Sequence, residues 1–198
     1  MVSRSLIICL DESQESARAW AWASQNILRS GDHVVLLTVA VMDTSSVSDY
    51  SMLALAADDI APSGALDEVA LETARKSTME ANEAFMNRML AKAQADLKAA
   101  GGPNIQIEGK ILTQTGSVGE TIVAFLNSGR LEKAAAAVVC GSRGLGAFKR
   151  AMLGAIGMGS TSDHLSHNLH IPVIVVREPS TEATGAHYKA SESDLFSL

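Results

Sequence analysis

Leu6-Ile7-Ile8-Cys9-Leu10-Asp11-Glu12-Ser13 is the stretch whose reading decides the fold. Five apolar residues in succession, with no polar residue alternating between them, describe a strand covered on both faces, as strands of parallel sheets are. The run stops at Asp11, and Ser13 stands where a helix N-cap is expected. Ala19, Trp20, Ala23, Ile27 and Leu28 then fall on one helical face before Gly31 supplies a stop. Strand, turn and helix thus follow one another directly.

The pattern repeats outward from this opening. Val34 to Val41 reads as a second buried strand, and Ile105 to Leu112 as a third. In the third, Gln106, Glu108 and Lys110 alternate with apolar residues, which predicts a wetter face and an edge position. Between them, residues 42–64 are Ser/Asp-rich without a period and read as a long loop, whereas Ala65 to Ala100 favours a long helix. Ser117-Val118-Gly119-Glu120 matches a capping box ahead of the apolar stripe Ile122, Val123, Phe125 and Leu126. Ala136 to Cys140 reads as a fourth buried strand, a last helix starts near Ser160 to Asp163, and Pro172 to Val176 forms the last strand. Such alternation demands right-handed crossovers and a parallel sheet with helices on both faces, an α/β fold.

Composition narrows the function classes. The chain has 198 residues, of which 47% are hydrophobic and 19% charged, a globular balance that excludes collagenous, coiled-coil and wholly disordered classes. One domain over residues 1–177 is expected, followed by a disordered tail over residues 178–198, where the sequence turns Ser/Glu/Ala-rich. A net charge of -6 offers no basic field for nucleic acid. No run approaches the roughly 18 apolar residues of a membrane span, and Leu6 to Leu10 is too short for a signal-peptide core. Cys9 and Cys140, both inside apolar runs, read as buried thiols in a reducing compartment, so a cytoplasmic location without membrane attachment is expected.

Ligands of doubly wound sheets bind outside the carboxyl ends of the strands. Those ends carry Asp11, Val39 and the glycine loop Cys140-Gly141-Ser142-Arg143-Gly144-Leu145-Gly146. Glycines after a buried strand let backbone amides converge on phosphate oxygens, although glycines serve plain turns too. The segment matches neither the Gly-x-Gly-x-x-Gly fingerprint nor a Walker A loop. Asp11 has two readings, as an acceptor for a ligand or as a helix-start residue, and Arg143 two, as a phosphate partner or a solvated loop residue. His164, His167 and His170 recur at a spacing that fans them around a helix end, and Trp20 and Trp22 face different sides of one helix.

At this point the residues resemble a family. Gly141-x2-Gly144-x9-Gly154 with a later Gly159-Ser160 is similar to the signature of universal stress proteins in their ATP-binding branch. Asp11-x-Ser13 leading to Ala19-Trp20, and Gly116-Ser117-Val118-Gly119-Glu120, resemble two further junctions of that family. The pattern departs in one place: Ala155 to Gly159 reads as a five-residue insertion, since joining Gly154 to Ser160 restores the usual spacing.

The resemblance implies one Rossmann-like domain with a five-stranded parallel sheet in the order 3-2-1-4-5. It implies ATP, with magnesium as a companion, held by Asp11 and Val39 on the adenosine side. On the phosphate side it implies Gly141, Arg143, Gly144, Gly154, Gly159, Ser160 and Thr161. It also implies a homodimer through Val173, Ile174, Val175 and Val176, and a regulatory role in the stress response in which ATP biases conformation or partner choice. No nucleophile and base or paired carboxylates stand out, so slow ATP hydrolysis is the most chemistry expected. The alternative is a dimeric stress adaptor that binds no nucleotide.

Overall fold

The opening apolar run forms β1 (Ser5–Cys9), and all five of its residues are buried. The computed structural model of the chain describes residues 4–41, 63–100, 104–131, 133–142 and 160–177. After β1 come α1 (Gln14–Asn26), β2 (His33–Ala40), α2 (Ser63–Ala99) and β3 (Gln106–Thr113). They are followed by α3 (Val118–Asn127), β4 (Ala135–Gly141), α4 (Ser160–Asn168) and β5 (Val173–Val176). The strands form one five-stranded sheet in the order β3-β2-β1-β4-β5, with every pairing parallel. The fold is the expected one, and β3 lies at an edge as its alternating polarity required.

Ends shifted by a residue have local causes. Pro172 precedes β5 rather than opening it, but its carbonyl still accepts from the Val138 amide at 2.9 Å, a bond that needs no donor from proline. Val41 falls outside β2 and is 39% exposed, because the sheet ends where β1 and β3 stop offering partners. Residues 42–62 and 178–198, which include most of the expected loop and the expected tail, lie outside the described residues.

Both faces of the sheet are covered. On one, Ile8, Leu36 and Val139 pack against Trp20 of α1 and Phe85 and Met86 of α2. On the other, Ile7, Leu37 and Val138 pack against Val118 and Ile122 of α3 and Leu165 of α4. Each fully buried branched side chain contributes about 1.5–3 kcal/mol, and β2 is buried at all eight positions. Trp20 is 1% exposed, and its indole Nε1 donates to Asp96 Oδ2 at 2.8 Å, joining α1 to α2. Gly109 lets α2 lie close to β3: a Cβ there would come within 2.6 Å of Met86 Cγ.

The helix starts are capped as the sequence predicts. Ser13 has an extended backbone (φ -83°, ψ 155°), and its hydroxyl accepts from the Ser16 amide at 3.2 Å. At α3 the capping box is complete, with Glu120 N–H donating to Ser117 Oγ and Ser117 N–H to Glu120 Oε2.

At the amino ends of the strands, the Arg4 guanidinium grips Asp32 with Nε–Oδ1 at 2.7 Å and Nη2–Oδ2 at 2.9 Å. Arg4 Nη2 also reaches the Ile27 carbonyl at 2.6 Å, and the Arg29 amide donates to Asp32 Oδ2 at 2.7 Å. Burial would raise the Asp32 carboxyl, but these hydrogen bonds outweigh it and hold the group below its ordinary value. A lowered folded value means that the stabilisation is complete above the unfolded value of about 3.9 and is lost as pH falls through the folded one. Asp32→Asn is therefore expected to destabilise the fold by about 2 kcal/mol at pH 7. The difference from the unaltered chain should shrink below about pH 4, which urea unfolding at a series of pH values checks.

Candidate functional site

β1 connects toward β2 and β3, whereas β4 connects toward β5 on the opposite side. The sheet thus switches direction between β1 and β4, and it is above such a boundary that ligands of doubly wound sheets bind. The turn after β1, the end of β2, the end of β4 and the start of α4 all lie at that carboxyl end of the sheet.

Asp11 sits at the turn, half-buried. Its Oδ1 accepts from the Ser13 amide at 3.0 Å and from the Ser13 hydroxyl, while the Asp11 carbonyl accepts from Ser16 Oγ. Of its two readings, the helix-start role is the one visible in the geometry: Asp11 braces the turn and Ser13 is the cap.

Val39 has its side chain buried on the α3 and α4 face. Its backbone matters more. The last pair between β1 and β2 is Cys9↔Leu37, extended by one bond from the Leu10 amide to the Leu37 carbonyl at 2.8 Å. Backbone groups in a parallel ladder face alternate sides along the strand. Val39, two residues past Leu37, turns its amide and carbonyl to that same side, beyond the point where β1 has left the sheet.

Gly141 ends β4 beside Val176, and the Ser142 amide continues the ladder to the Val176 carbonyl at 2.9 Å. A Cβ on Gly141 would lie 2.8 Å from the Glu15 carbonyl carbon, 2.8 Å from Glu15 Cβ and 2.9 Å from Glu15 O. Those are contacts with the first turn of α1, so the bare backbone of Gly141 is what lets α1 lie across the end of β4. Residue 15 was not singled out from the sequence, because nothing local marks a contact that spans more than a hundred residues.

The start of α4 brings Ser160, Thr161 and Ser162 to the same end of the sheet. Thr161 and Ser162 are buried, at 8% and 2% exposure. Arg143, Gly144, Gly154, Gly159 and the inserted Ala155 to Gly159 lie outside the described residues. Across the top, Arg88 of α2 reaches Glu12 with Nη2–Oε1 at 3.4 Å, an exposed pair that the sequence did not suggest.

The remaining polar groups have local partners. Glu120, held below the ordinary carboxylate range first by the Ser117 amide and then by the Ser117 hydroxyl, belongs to its capping box. His164 packs against Gly119, where a Cβ would come within 2.9 Å of the His164 side chain. The exposed His167 donates from Nδ1 to the Asp163 carbonyl at 2.8 Å. Among the described residues no group of three or more His, Cys, Asp or Glu side chains could hold a metal ion. No described helix is long and apolar enough to cross a membrane.

A doubly wound five-stranded sheet with a glycine-ended strand beside its switch point defines a Rossmann-like α/β domain. The chain belongs to the universal stress protein family, whose model matches residues 3–177. It is 35% identical over 177 residues to the universal stress protein PHOS34 of Arabidopsis thaliana, covering 89% of this chain and 62% of that protein. It is 32% identical over 178 residues to PHOS32 of the same plant, covering 89% and 65% respectively. The chain thus spans less than two thirds of the length of these curated relatives. Among solved structures, the hypothetical protein MJ0577 superposes with a TM-score of 0.56 at 17% identity, covering 90% of this chain and 98% of that one. The universal stress protein UspA from Lactobacillus plantarum superposes with a TM-score of 0.55 at 18% identity, covering 89% and 99%. At these identities the superpositions speak for the fold.

Gly141→Ala is expected to push α1 off the end of β4 and to lower stability by about 1–3 kcal/mol, as overpacking against backbone does. Chemical denaturation measures this, and an unchanged midpoint would show that the close approach of Glu15 is not binding on the fold.

Proposed function

We propose that this chain is a regulatory protein of the stress response that binds ATP, with magnesium, in a crevice above β1, β2 and β4. The observation that supports the reading is the reversal of strand order between β1 and β4, the place where doubly wound sheets take ligands, with the family signature beginning there at Gly141. Asp11 and the backbone of Val39 serve the adenosine end. Gly141, Arg143, Gly144, Gly154, Gly159, Ser160 and Thr161 serve the phosphates, and the amino terminus of α4 contributes its dipole and free amides. ATP acts by favouring one conformation, and its influence is bounded by its differential affinity for the two states. Catalysis is confined to slow hydrolysis, since no described residue near the crevice forms a nucleophile and base pair.

The chain acts in the cytoplasm, which suits its two buried free thiols, and as a homodimer through β5. Val173, Ile174, Val175 and Val176 are each half-buried, and β5 is paired only with β4, so an apolar edge awaits a partner. One domain over residues 1–177 carries these functions.

A second reading, a dimeric adaptor that binds no nucleotide, draws on one specific observation. Asp11 Oδ1 is engaged by Ser13, and the missing Cβ of Gly141 is required by Glu15, so retention of both residues needs no ligand to explain it.

Purification without added nucleotide, followed by denaturation and mass spectrometry of released small molecules, separates the two. The nucleotide reading expects an adenine nucleotide near one per chain, falling sharply in Gly144→Val. It also expects MgATP at a hundredfold excess over Kd to stabilise the fold by about 2.7 kcal/mol. No released nucleotide together with flat calorimetry against MgATP leaves the adaptor reading in place. Light scattering tests the dimer, and a strict monomer removes it.

A further inference from the structure

Cys9 and Cys140 lie side by side in the sheet. β1 pairs with β4 through Ile7↔Val138 and Ile8↔Val139, and the next step of that register sets Cys9 against Cys140, each still within its strand. Both belong to the apolar cluster on the α3 and α4 face, both are 4% exposed, and neither is in a disulfide. Burial pushes the Cys140 thiol up to about 11, and Cys9 is raised well above its ordinary value, first by burial and then by the nearby charges of Cys140 and Asp11.

Magnitudes decide what such a pair can do. A disulfide wants Cβ atoms about 3.8 Å apart, whereas neighbouring strands run about 4.8 Å apart with laterally paired side chains pointing the same way. A bridging ion with metal–sulfur bonds of about 2.3 Å on each side spans roughly 4.6 Å, which matches the strand spacing. A tetrahedral zinc site would need more donors, and the described residues assemble no group of three or more His, Cys, Asp or Glu. Met86 and Met89 are on the opposite face. Two soft sulfur donors with no third among the described residues describe linear coordination, which suits soft, thiophilic ions. Charge then selects the valence. Two thiolates and a divalent ion sum to zero, whereas a monovalent ion would leave a net negative charge in an apolar cluster, at a heavy desolvation cost.

We infer that Cys9 and Cys140 form a linear dithiolate site for a soft divalent metal ion of the mercury(II) type, at the carboxyl ends of β1 and β4. On binding, the ion forms one bond to each sulfur, and each thiol gives up its proton, so that two protons are released per ion. Cys140 lies one residue before Gly141 and Cys9 two before Asp11, which places the pair at the carboxyl ends of the two strands. The site stands whether or not a nucleotide binds above it.

Mercuric chloride is the probe. The reduced full-length protein is titrated without any other thiol for proton release in weak buffer, and separately in the presence of glutathione as a competing monothiol for native mass spectrometry and near-ultraviolet circular dichroism. One ion per chain, two protons per ion and a retained folded spectrum are expected. Partners that merely support metal ligands are worth about 10–100-fold in affinity, so loss of a ligand itself in Cys9→Ala or Cys140→Ala is expected to weaken retention by about 100-fold or more. Two ions per chain, a single proton per ion, a folded spectrum lost as the ion binds, or a single-cysteine variant that holds the ion as tightly as the unaltered chain each overturns the site. The stoichiometry of the unaltered chain is decisive even where a variant does not fold.

Discussion

The burial of β1 on both faces and along both edges is the constraint on which the rest of the structure depends. Its five residues sit between β2 and β4 with none exposed. A strand with no wet face requires helices above and below, and a strand with no free edge requires the chain to leave it in one direction and return on the other side. Right-handed crossovers then place α1 and α2 on one face, where β1 leads to β2 and β3, and α3 and α4 on the other, where the chain crosses back to β4 and β5. The two apolar clusters are the two halves of that arrangement.

The same constraint separates the two ends of the sheet. At the amino ends, polar groups are tied down: Arg4 grips Asp32, and Ser5 Oγ shares a hydrogen bond with His33 Nδ1 at 3.1 Å. His33 Nε2 lies 3.7 Å from Glu108 Oε1. These bonds satisfy buried groups that would otherwise cost free energy. At the carboxyl ends the strands finish at different heights, so the Val39 backbone stands past the last β1 partner, and α4 starts at the same end of the sheet. The locked end gives rigidity, and the staggered end leaves strand backbone beyond its last partner. Beneath that end the two cysteines supply soft, apolar chemistry that is distinct from the hydrogen-bonding chemistry above.

Much of this was legible in the chain. Unbroken apolar runs specified strands buried on both faces, and their alternation with helical stripes specified a parallel sheet, because both signals are local and periodic. The capping residues Ser13, Ser117 and Glu120 were readable for the same reason: a cap is a contact over three residues. Gly141 was visible as a glycine after a strand, but not its reason, since the atom it makes room for is the backbone of Glu15. Asp11 had two readings, ligand acceptor or helix-start residue, until the position of Ser13 Oγ and amide showed where Oδ1 points.

What the sequence determined by itself was therefore the set of elements, their order, their caps and the parallel α/β class, all encoded in residue spacings shorter than one helix or strand. What only the tertiary structure decided was which distant residues meet: Trp20 with Asp96, Arg4 with Asp32, Glu15 with Gly141, and Ile8 beside Val139. Such contacts depend on strand order and register, which place residues far apart in the chain within a few ångströms of one another, and no local spacing carries that information.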